Sequence, residues 1–275
     1  MKDRIAILLS AYNGEKYLSE QINSILAQSY KDWNLYIKDD GSTDSTLQII
    51  EKYCTSCSNI HFLQDAKRRG ACMSFIWLLE NVESDYYLFC DQDDIWLTDK
   101  IQLSLKKMKE AEAVYPATPI LVHTDLVVVD ANLKELSPSF WKYSKLKQRY
   151  LSQFNYLGAC NGVTGCTVMI NDRAKKAVLP IHPKAPMHDY WFALKISQVG
   201  KIAALDLPTI LYRQHANNDV GAKEVDVSYF AKKVKYLTQT IKSQLSAYAF
   251  LKDIGYGNIF KYYWHKIIYS ILRSI

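Results

Sequence analysis

Leu88-Phe89-Cys90-Asp91-Gln92-Asp93-Asp94-Ile95-Trp96 joins a short apolar, aromatic-rich run to three carboxylates within four residues. The apolar part has the length and composition of a buried strand, and it stops abruptly at Asp91. Like charges packed this closely need full solvation or a cation to neutralise them. An Asp-x-Asp at a strand end, followed by a helix, suits a divalent ion held by one or two carboxylates and by substrate phosphates. A solvated turn capping a helix near Thr98 is the commoner use of so short a motif. The neighbouring sequence therefore decides.

Strands and helices alternate on both sides of this stretch. Residues 5–9 are a compact β-prone run ended by Ser10-Ala11-Tyr12-Asn13-Gly14, and the spacing of Leu18, Ile22, Ile25 and Leu26 predicts a helix over 15–28. Residues 33–38 make a second strand, closed by Asp39-Asp40-Gly41-Ser42-Thr43-Asp44, and a helix begins near Ser45. Residues 61–63 form a third strand, 70–81 a helix, 100–113 an amphipathic helix and 120–129 another strand. This alternation predicts an α/β fold with a mostly parallel sheet flanked by helices. Ligands of such sheets bind beyond the carboxyl ends of the strands. The clusters at 11–13, 39–40 and 91–93 all follow strands, so they are expected to converge on one sheet edge. That convergence is the main physical argument for a site.

The second half is less regular. Residues 137–157 read as a polar, aromatic excursion with some helix, and 158–170 as a Gly-rich turn followed by a strand over 164–170. A Pro-rich loop at 180–186 leads into His188-Asp189-Tyr190-Trp191 and an apolar helix over 192–198. Two short strands, 201–205 and 209–212, flank Pro208 and precede Arg213-Gln214-His215-Ala216-Asn217-Asn218-Asp219. From about Val227 the sequence turns helical, basic and tyrosine-rich.

Composition narrows the function classes. A net charge of +6 favours anionic partners such as nucleotides, diphosphates or phospholipid surfaces, and no nucleic-acid partner is expected. Six cysteines in 275 residues do not imply a disulfide framework, and Cys54-x-x-Cys57 lacks the second pair of a zinc site. The N-terminus runs straight into a strand with no signal-peptide pattern, and no apolar run reaches a membrane-spanning length. A cytoplasmic protein is expected. Gly-x-Gly-x-x-Gly and Gly-Lys-Ser/Thr loops are both absent, which disfavours dinucleotide and P-loop chemistry and a nucleotidyltransferase.

Each cluster has a plain structural use beside a chemical one. Asp39 and Asp40 could accept hydrogen bonds from a base or ribose, or simply form a turn and helix cap. Asp189 could cap its helix, or, desolvated beside aromatics, gain the raised pKa of a general base. His188 is expected to be its hydrogen-bonding neighbour. Arg213 and His215 could meet a diphosphate or a metal, or lie in a surface loop.

The order of these clusters resembles the inverting family 2 glycosyltransferases of GT-A (Rossmann-like) fold. The matching pieces are Leu9-Ser10-Ala11-Tyr12-Asn13-Gly14, Asp39-Asp40-Gly41-Ser42-Thr43-Asp44, Asp91-Gln92-Asp93-Asp94-Ile95-Trp96 and His188-Asp189-Tyr190-Trp191. Asp-Gln-Asp-Asp-x-Trp, with Tyr212-Arg213-Gln214-His215 later, is most similar to bacterial rhamnosyltransferases of surface polysaccharide synthesis. The resemblance spans roughly residues 3–221. It implies that Ala11, Tyr12, Asn13, Asp39, Asp40, Asp91, Arg213 and His215 bind a dTDP- or UDP-sugar. It implies Mg²⁺ or Mn²⁺ on Asp93, with Asp91 and His215, and Asp189 as the base that deprotonates an acceptor hydroxyl. Asn161, Gly165, Cys166, His188 and Trp191 would line the acceptor side, with Asp94 near it. The acceptor implied is lipid-linked or an oligosaccharide.

Residues 1–225 are thus expected to form the transferase domain and 226–275 a helical extension. In the extension Lys232, Lys233, Lys235, Lys242, Lys261, Lys266 and Arg273 alternate with Tyr236, Tyr262, Tyr263, Trp264, Ile267, Ile268 and Ile271. That mixture fits either an interfacial helix on anionic lipid or a helix packed on the catalytic domain.

Overall fold

The computed structural model describes residues 3–215 and 237–274, with 237–243 described by backbone alone. The expectations for Asn217 to Asp219, Lys232, Lys233, Lys235, Tyr236 and the Lys242 side chain lie outside the described residues.

Four parallel strands form one half of a nine-stranded sheet: β1 (Ile5–Ala11), β2 (Trp33–Asp39), β3 (Ile60–Phe62) and β4 (Tyr86–Cys90), in the order β3-β2-β1-β4. Their near-continuous apolar sequence reflects burial on both faces, which parallel strands with covering helices require. Every residue of β4 is buried. Ala11 is level with Asp39, and Leu9 with Cys90, so the loops after β1, β2 and β4 leave from one edge.

Beyond β4 the sheet becomes mixed. Strand β8 (Met169–Asn171) runs antiparallel between β4 and β6 (Ile120–Asp130), and β9 (Lys201–Gln214) runs parallel to β6. Strand β7 (Glu135–Ser137) pairs with β6. The two strands expected around Pro208 are one long strand. The ladder to β6 slips beside Thr124 and Asp125, with Pro208 opposite Asp125, which is where a residue without an N–H can be tolerated. The two-residue strand β5 (Ile95–Trp96) then pairs antiparallel with Leu211 and Ile210. That pairing pins the acidic loop against the end of β9.

Helices α1 (Leu18–Leu26), α2 (Thr46–Ser56) and α4 (Lys100–Val114) cover one face, and α3 (Ala71–Asn81) with α8 (His188–Val199) covers the other. Between α4 and α8 lie α5 (Phe140–Tyr143), α6 (Phe154–Ala159) and α7 (Asp172–Val178). The strand expected over 164–170 is a single 3₁₀ turn at Gly165–Thr167 before β8, because its hydrogen bonds close locally, Thr167 N to Thr164 O and Val168 N to Gly165 O. After residue 236 come α9 (Leu237–Asp253) and α10 (Ile259–Ser274), separated by Gly255 and Gly257 with φ of 85° and 101°. Tyr256, Tyr262 and Tyr269 are buried in the same core as α3 and α8. The extension therefore packs on the α/β body through one face, while Phe260, Trp264, Ile267 and Ile271 stay exposed.

Candidate active site

The loop after β4 is held by its middle residue. Gln92 accepts from Tyr12 N (2.8 Å) and donates through Nε2 to Tyr12 O (2.9 Å), imitating one rung of a sheet. Gly14 leaves the room this needs, because a Cβ there would sit 2.3 Å from Gln92 Oε1. The β1 loop is laced equally firmly to the β2 loop. Asn13, in the left-handed region at φ 48°, donates its N–H to Ser42 Oγ (2.9 Å) and accepts from Thr43 N through Oδ1 (2.8 Å). Asp39 accepts from Gly41 N, Ser42 N and the Ser42 hydroxyl. Tyr12 is 38% exposed at this rim, with the Arg68 guanidinium 4.3 Å over its ring.

Asp40 stands apart from its neighbour. It is buried and accepts from Lys38 Nζ (2.7 Å), Arg69 N (2.8 Å), Gly70 N (2.7 Å) and Ser74 Oγ (2.9 Å). Burial alone would raise its pKa, but these donors outweigh it and hold the carboxyl below the usual range. The expectation that it faces the base or ribose is therefore corrected: Asp40 ties the start of α3 to β2 from inside.

At the other end of the acidic loop, His215 Nε2 lies 2.8 Å from Asp93 Oδ2, and the imidazole packs tilted against the Tyr17 ring, 5.0 Å between centroids. Arg213 is buried beneath this pair. Its guanidinium donates to Asp93 O (2.9 Å), Ala131 O (3.0 Å) and the Glu20 carboxylate, and lies 4.4 Å over Tyr17. Because those bonds engage it with the protein, Arg213 braces the loop rather than facing a diphosphate, which corrects its expected role. Asp94, expected toward the acceptor, instead turns inward. Its carboxyl accepts from Arg213 N (3.1 Å), and burial together with the charges of Asp93 and Asp91 pushes its pKa well up. The Cys166 thiol lies against the same carboxyl.

Asp91, Asp94 and Cys166 each bring one ligand atom within 4.8 Å of the others. Burial holds the Cys166 thiol protonated well above its ordinary pKa, which makes it a poor donor to a hard cation. This also moves Cys166 from the acceptor side to the underside of the acidic loop. Of the expected metal ligands, Asp93 and His215 lie together, whereas Asp91 is grouped with Asp94 and Cys166 instead.

Asp189 opens α8. Its Oδ2 accepts from Gly165 N (3.1 Å) and its Oδ1 from Tyr190 N. Burial raises its pKa to about 6 against the opposing pull of those bonds and of the Asn161 side chain. A carboxylate with that pKa is a competent base near neutrality. His188, expected as a hydrogen-bonding neighbour, has no partner on either ring nitrogen among the described residues. It is buried against Phe75, Phe89 and Phe192, which lowers its pKa to about 3 and keeps it neutral. It acts as packing under Gly165, where a Cβ would meet its Nε2 at 3.0 Å. Trp191 is likewise core, its indole N–H donating to Val178 O (2.7 Å), so it does not line an acceptor site.

Sequence reasoning missed four contributors. Gln92 carried a signal in being the middle residue of Asp-Gln-Asp, whereas Tyr17 and Glu20 had none, since a helical stripe and a surface acid look ordinary. Cys72 was also overlooked. Its thiol is pushed up to about 11 by burial and by Asp189.

A mixed sheet flanked by helices, with polar strand-end loops gathered on one edge, is the GT-A fold. The chain belongs to glycosyl transferase family 2, whose model matches residues 6–174. Among curated relatives, it is 33% identical to the dTDP-rhamnosyl transferase RfbG of Shigella flexneri over 238 residues, covering 82% of this chain and 76% of that one. It is 26% identical to the UDP-Glc:alpha-D-GlcNAc-diphosphoundecaprenol beta-1,3-glucosyltransferase WfgD of Escherichia coli, covering 74% and 73%. Among solved structures, Staphylococcus aureus TarS 1–349 in complex with UDP-GlcNAc superposes with a TM-score of 0.60 at 19% identity, over 86% of this chain and 66% of that one. The mannosyltransferase PcManGT of Pyrobaculum calidifontis, in complex with GDP-Man and Mn²⁺, gives 0.58 at 14%, over 99% and 74%. The chain spans 60% of another TarS 1–349 structure, less than two thirds of its length. At these identities the structural likeness speaks for the fold alone. The protein is a glycosyltransferase.

Proposed function

We propose that this glycosyltransferase moves a sugar, with inversion, from a nucleotide-sugar to a hydroxyl of a lipid-linked or oligosaccharide acceptor in bacterial surface polysaccharide synthesis. Rhamnose from dTDP-rhamnose is the first candidate donor, supported by the likeness to RfbG over 76% of that relative. A UDP-hexose is the second, supported by WfgD, whose described donor is UDP-Glc. The observation that carries the mechanism is Asp189, a partly buried carboxylate with a pKa near 6, hydrogen-bonded to Gly165 N at the mouth of the 161–165 loop.

In this reading Tyr12, Asn13 and Asp39 receive the nucleoside at the rim of β1 and β2. Asp93 and His215, with Asp91 nearby, would hold Mg²⁺ or Mn²⁺, whose charge would stabilise the departing diphosphate. Asp189 takes the acceptor hydroxyl proton as that oxygen attacks the anomeric carbon from the opposite side. A single displacement of this kind inverts the centre and needs no enzyme nucleophile. Residues 1–225 would carry the reaction. Residues 226–275 would meet the membrane that bears the acceptor, with the protein working peripherally on the inner face.

Calorimetric titration with a panel of nucleotide-sugars, with and without Mn²⁺, tests the donor half. Tightest binding of dTDP-rhamnose, strengthened by Mn²⁺, is the expected outcome. Binding indifferent to the metal, or no nucleotide binding, would overturn the reading.

A further inference from the structure

A second site lies away from the acidic loop. A cavity of about 660 Å³ opens between the segment 139–149, β9 and the C-terminal end of α10. Among the described residues, Lys142, Lys145, Lys147, Arg149 and Arg273 line it against one carboxylate, Asp206. Five cations around one concave surface repel one another unless an anion joins them.

The wall is built rather than accidental. Arg273 reaches back from the last turn of α10 to donate to Ser144 O and toward Cys160 Sγ (3.8 Å), which fixes the helix end to the basic segment. Its Nε is buried with no partner among the described residues. Tyr269 OH accepts from Lys147 N (3.1 Å), a second tie between helix and wall. The same wall leans on the acceptor-side loop: Gln148 Nε2 donates to Gly162 O (3.3 Å), and a Cβ on Gly162 would strike Leu151 at 2.1 Å.

Beside the cavity, α10 leaves an apolar stripe uncovered. Phe260, Trp264, Ile267 and Ile271 are 82%, 62%, 55% and 56% exposed. Their spacing places them on one side of the helix, opposite buried Tyr262 and Tyr269. At about 100° per residue, Ser274, which lines the cavity, falls roughly 50° from the centre of that stripe. An apolar face with a tryptophan, bordered by a cationic pocket, matches a bilayer surface in both its acyl boundary and its anionic headgroups.

We propose that the cavity is a phosphate site for the headgroup of an anionic phospholipid, which the α10 stripe presents by lying in the bilayer interface. The inference rests on the lipid-borne acceptor proposed above, since it explains how the chain reaches one. Its test requires no transfer reaction.

The full chain is sedimented with phosphatidylcholine vesicles and with vesicles containing phosphatidylglycerol. Wild type should prefer the anionic vesicles, and the preference should fade with added salt. Lys145→Glu/Arg149→Glu should lose at least about tenfold in affinity for them, as each basic residue contributes near an anionic surface. Trp264→Ser/Ile267→Ser should lose vesicle binding altogether. Both variants should keep nucleotide-sugar affinity, which separates lost docking from lost folding. Equal binding to both vesicle types, or undiminished binding by the charge-reversed variant, overturns the proposal. So does binding of inorganic phosphate or glycerol phosphate without vesicle association, which would mark a soluble ligand. Self-association through the stripe without vesicle binding overturns it too. A chain that docks on vesicles yet binds no nucleotide-sugar would sink the transferase reading and leave this one standing.

Discussion

His215 Nε2 reaches Asp93 Oδ2 at 2.8 Å across 122 positions of sequence, because β5 docks the acidic loop on the last residues of β9. In the proposed reading both side chains would help hold the divalent ion. Asp93→Asn and His215→Ala should each weaken Mn²⁺ binding in the presence of nucleotide by at least about tenfold, since either change removes a ligand rather than a supporting contact. Electron paramagnetic resonance of free against bound Mn²⁺ reads this directly. Unchanged affinity in both variants would remove the pair from the metal site.

Asp189 should set the acid limb of the pH profile. Its pKa near 6 means the base is ionised above that value, so kcat/KM should rise with pH and level off above about 6. Asp189→Ala should abolish transfer while leaving nucleotide affinity nearly intact. Collapse of donor binding would assign the residue another role.

The same carboxyl should cost the fold stability. Its folded pKa is raised above the unfolded value, so its contribution is fully present at low pH and is lost as pH climbs toward 6. Asp189→Asn keeps an acceptor for Gly165 N and removes the buried charge. At pH 7 it should unfold at higher urea than wild type, by about 1–3 kcal/mol, and be inactive. Destabilisation instead would mean that the ionised form is better solvated than its position suggests.

Gly14 and Gln92 should behave as one unit. A methyl group at Gly14 displaces Gln92 Oε1 and breaks both bonds to the Tyr12 backbone. Gly14→Ala should weaken donor binding by about 1–3 kcal/mol. Adding Gln92→Ala should cost little more, because the bonds are already gone. Fully additive losses in a double-mutant cycle would show that the two residues act separately.

The sheet edge was legible because β1, β2 and β4 are short apolar runs that end in polar clusters, and a parallel α/β sheet brings such ends together. The mixed half was harder to read. Strand β8 is only three residues long, and β9 runs through Pro208 by slipping its register opposite Asp125. Sequence also could not tell open carboxylates from satisfied ones. Asp39 and Asp40 are adjacent, yet alternation along the chain leaves one at the rim and sends the other inside to Lys38. The same limit applied to His188, Trp191 and Arg213, whose residue types suit a site but whose contacts are core.

Lys38 and Asp40 give the sharpest test of that distinction. Lys38 is fully buried, and its ammonium donates to Asp40 (2.7 Å) while lying 3.8 Å from Asp65. A buried pair adds little over a well-packed apolar pair, but removing one partner strands the other charge, at a cost of about 3–5 kcal/mol. Lys38→Met should therefore lower stability by roughly that amount, softened by the Arg69, Gly70 and Ser74 donors that remain on Asp40. Asp40→Asn should be milder, since the amide still accepts from the backbone. Both should act through the fold: donor affinity measured well below the unfolding transition should change less than about threefold, under 1 kcal/mol. If Asp40→Asn instead abolished nucleotide binding in a chain of wild-type stability, Asp40 would return to the nucleoside site.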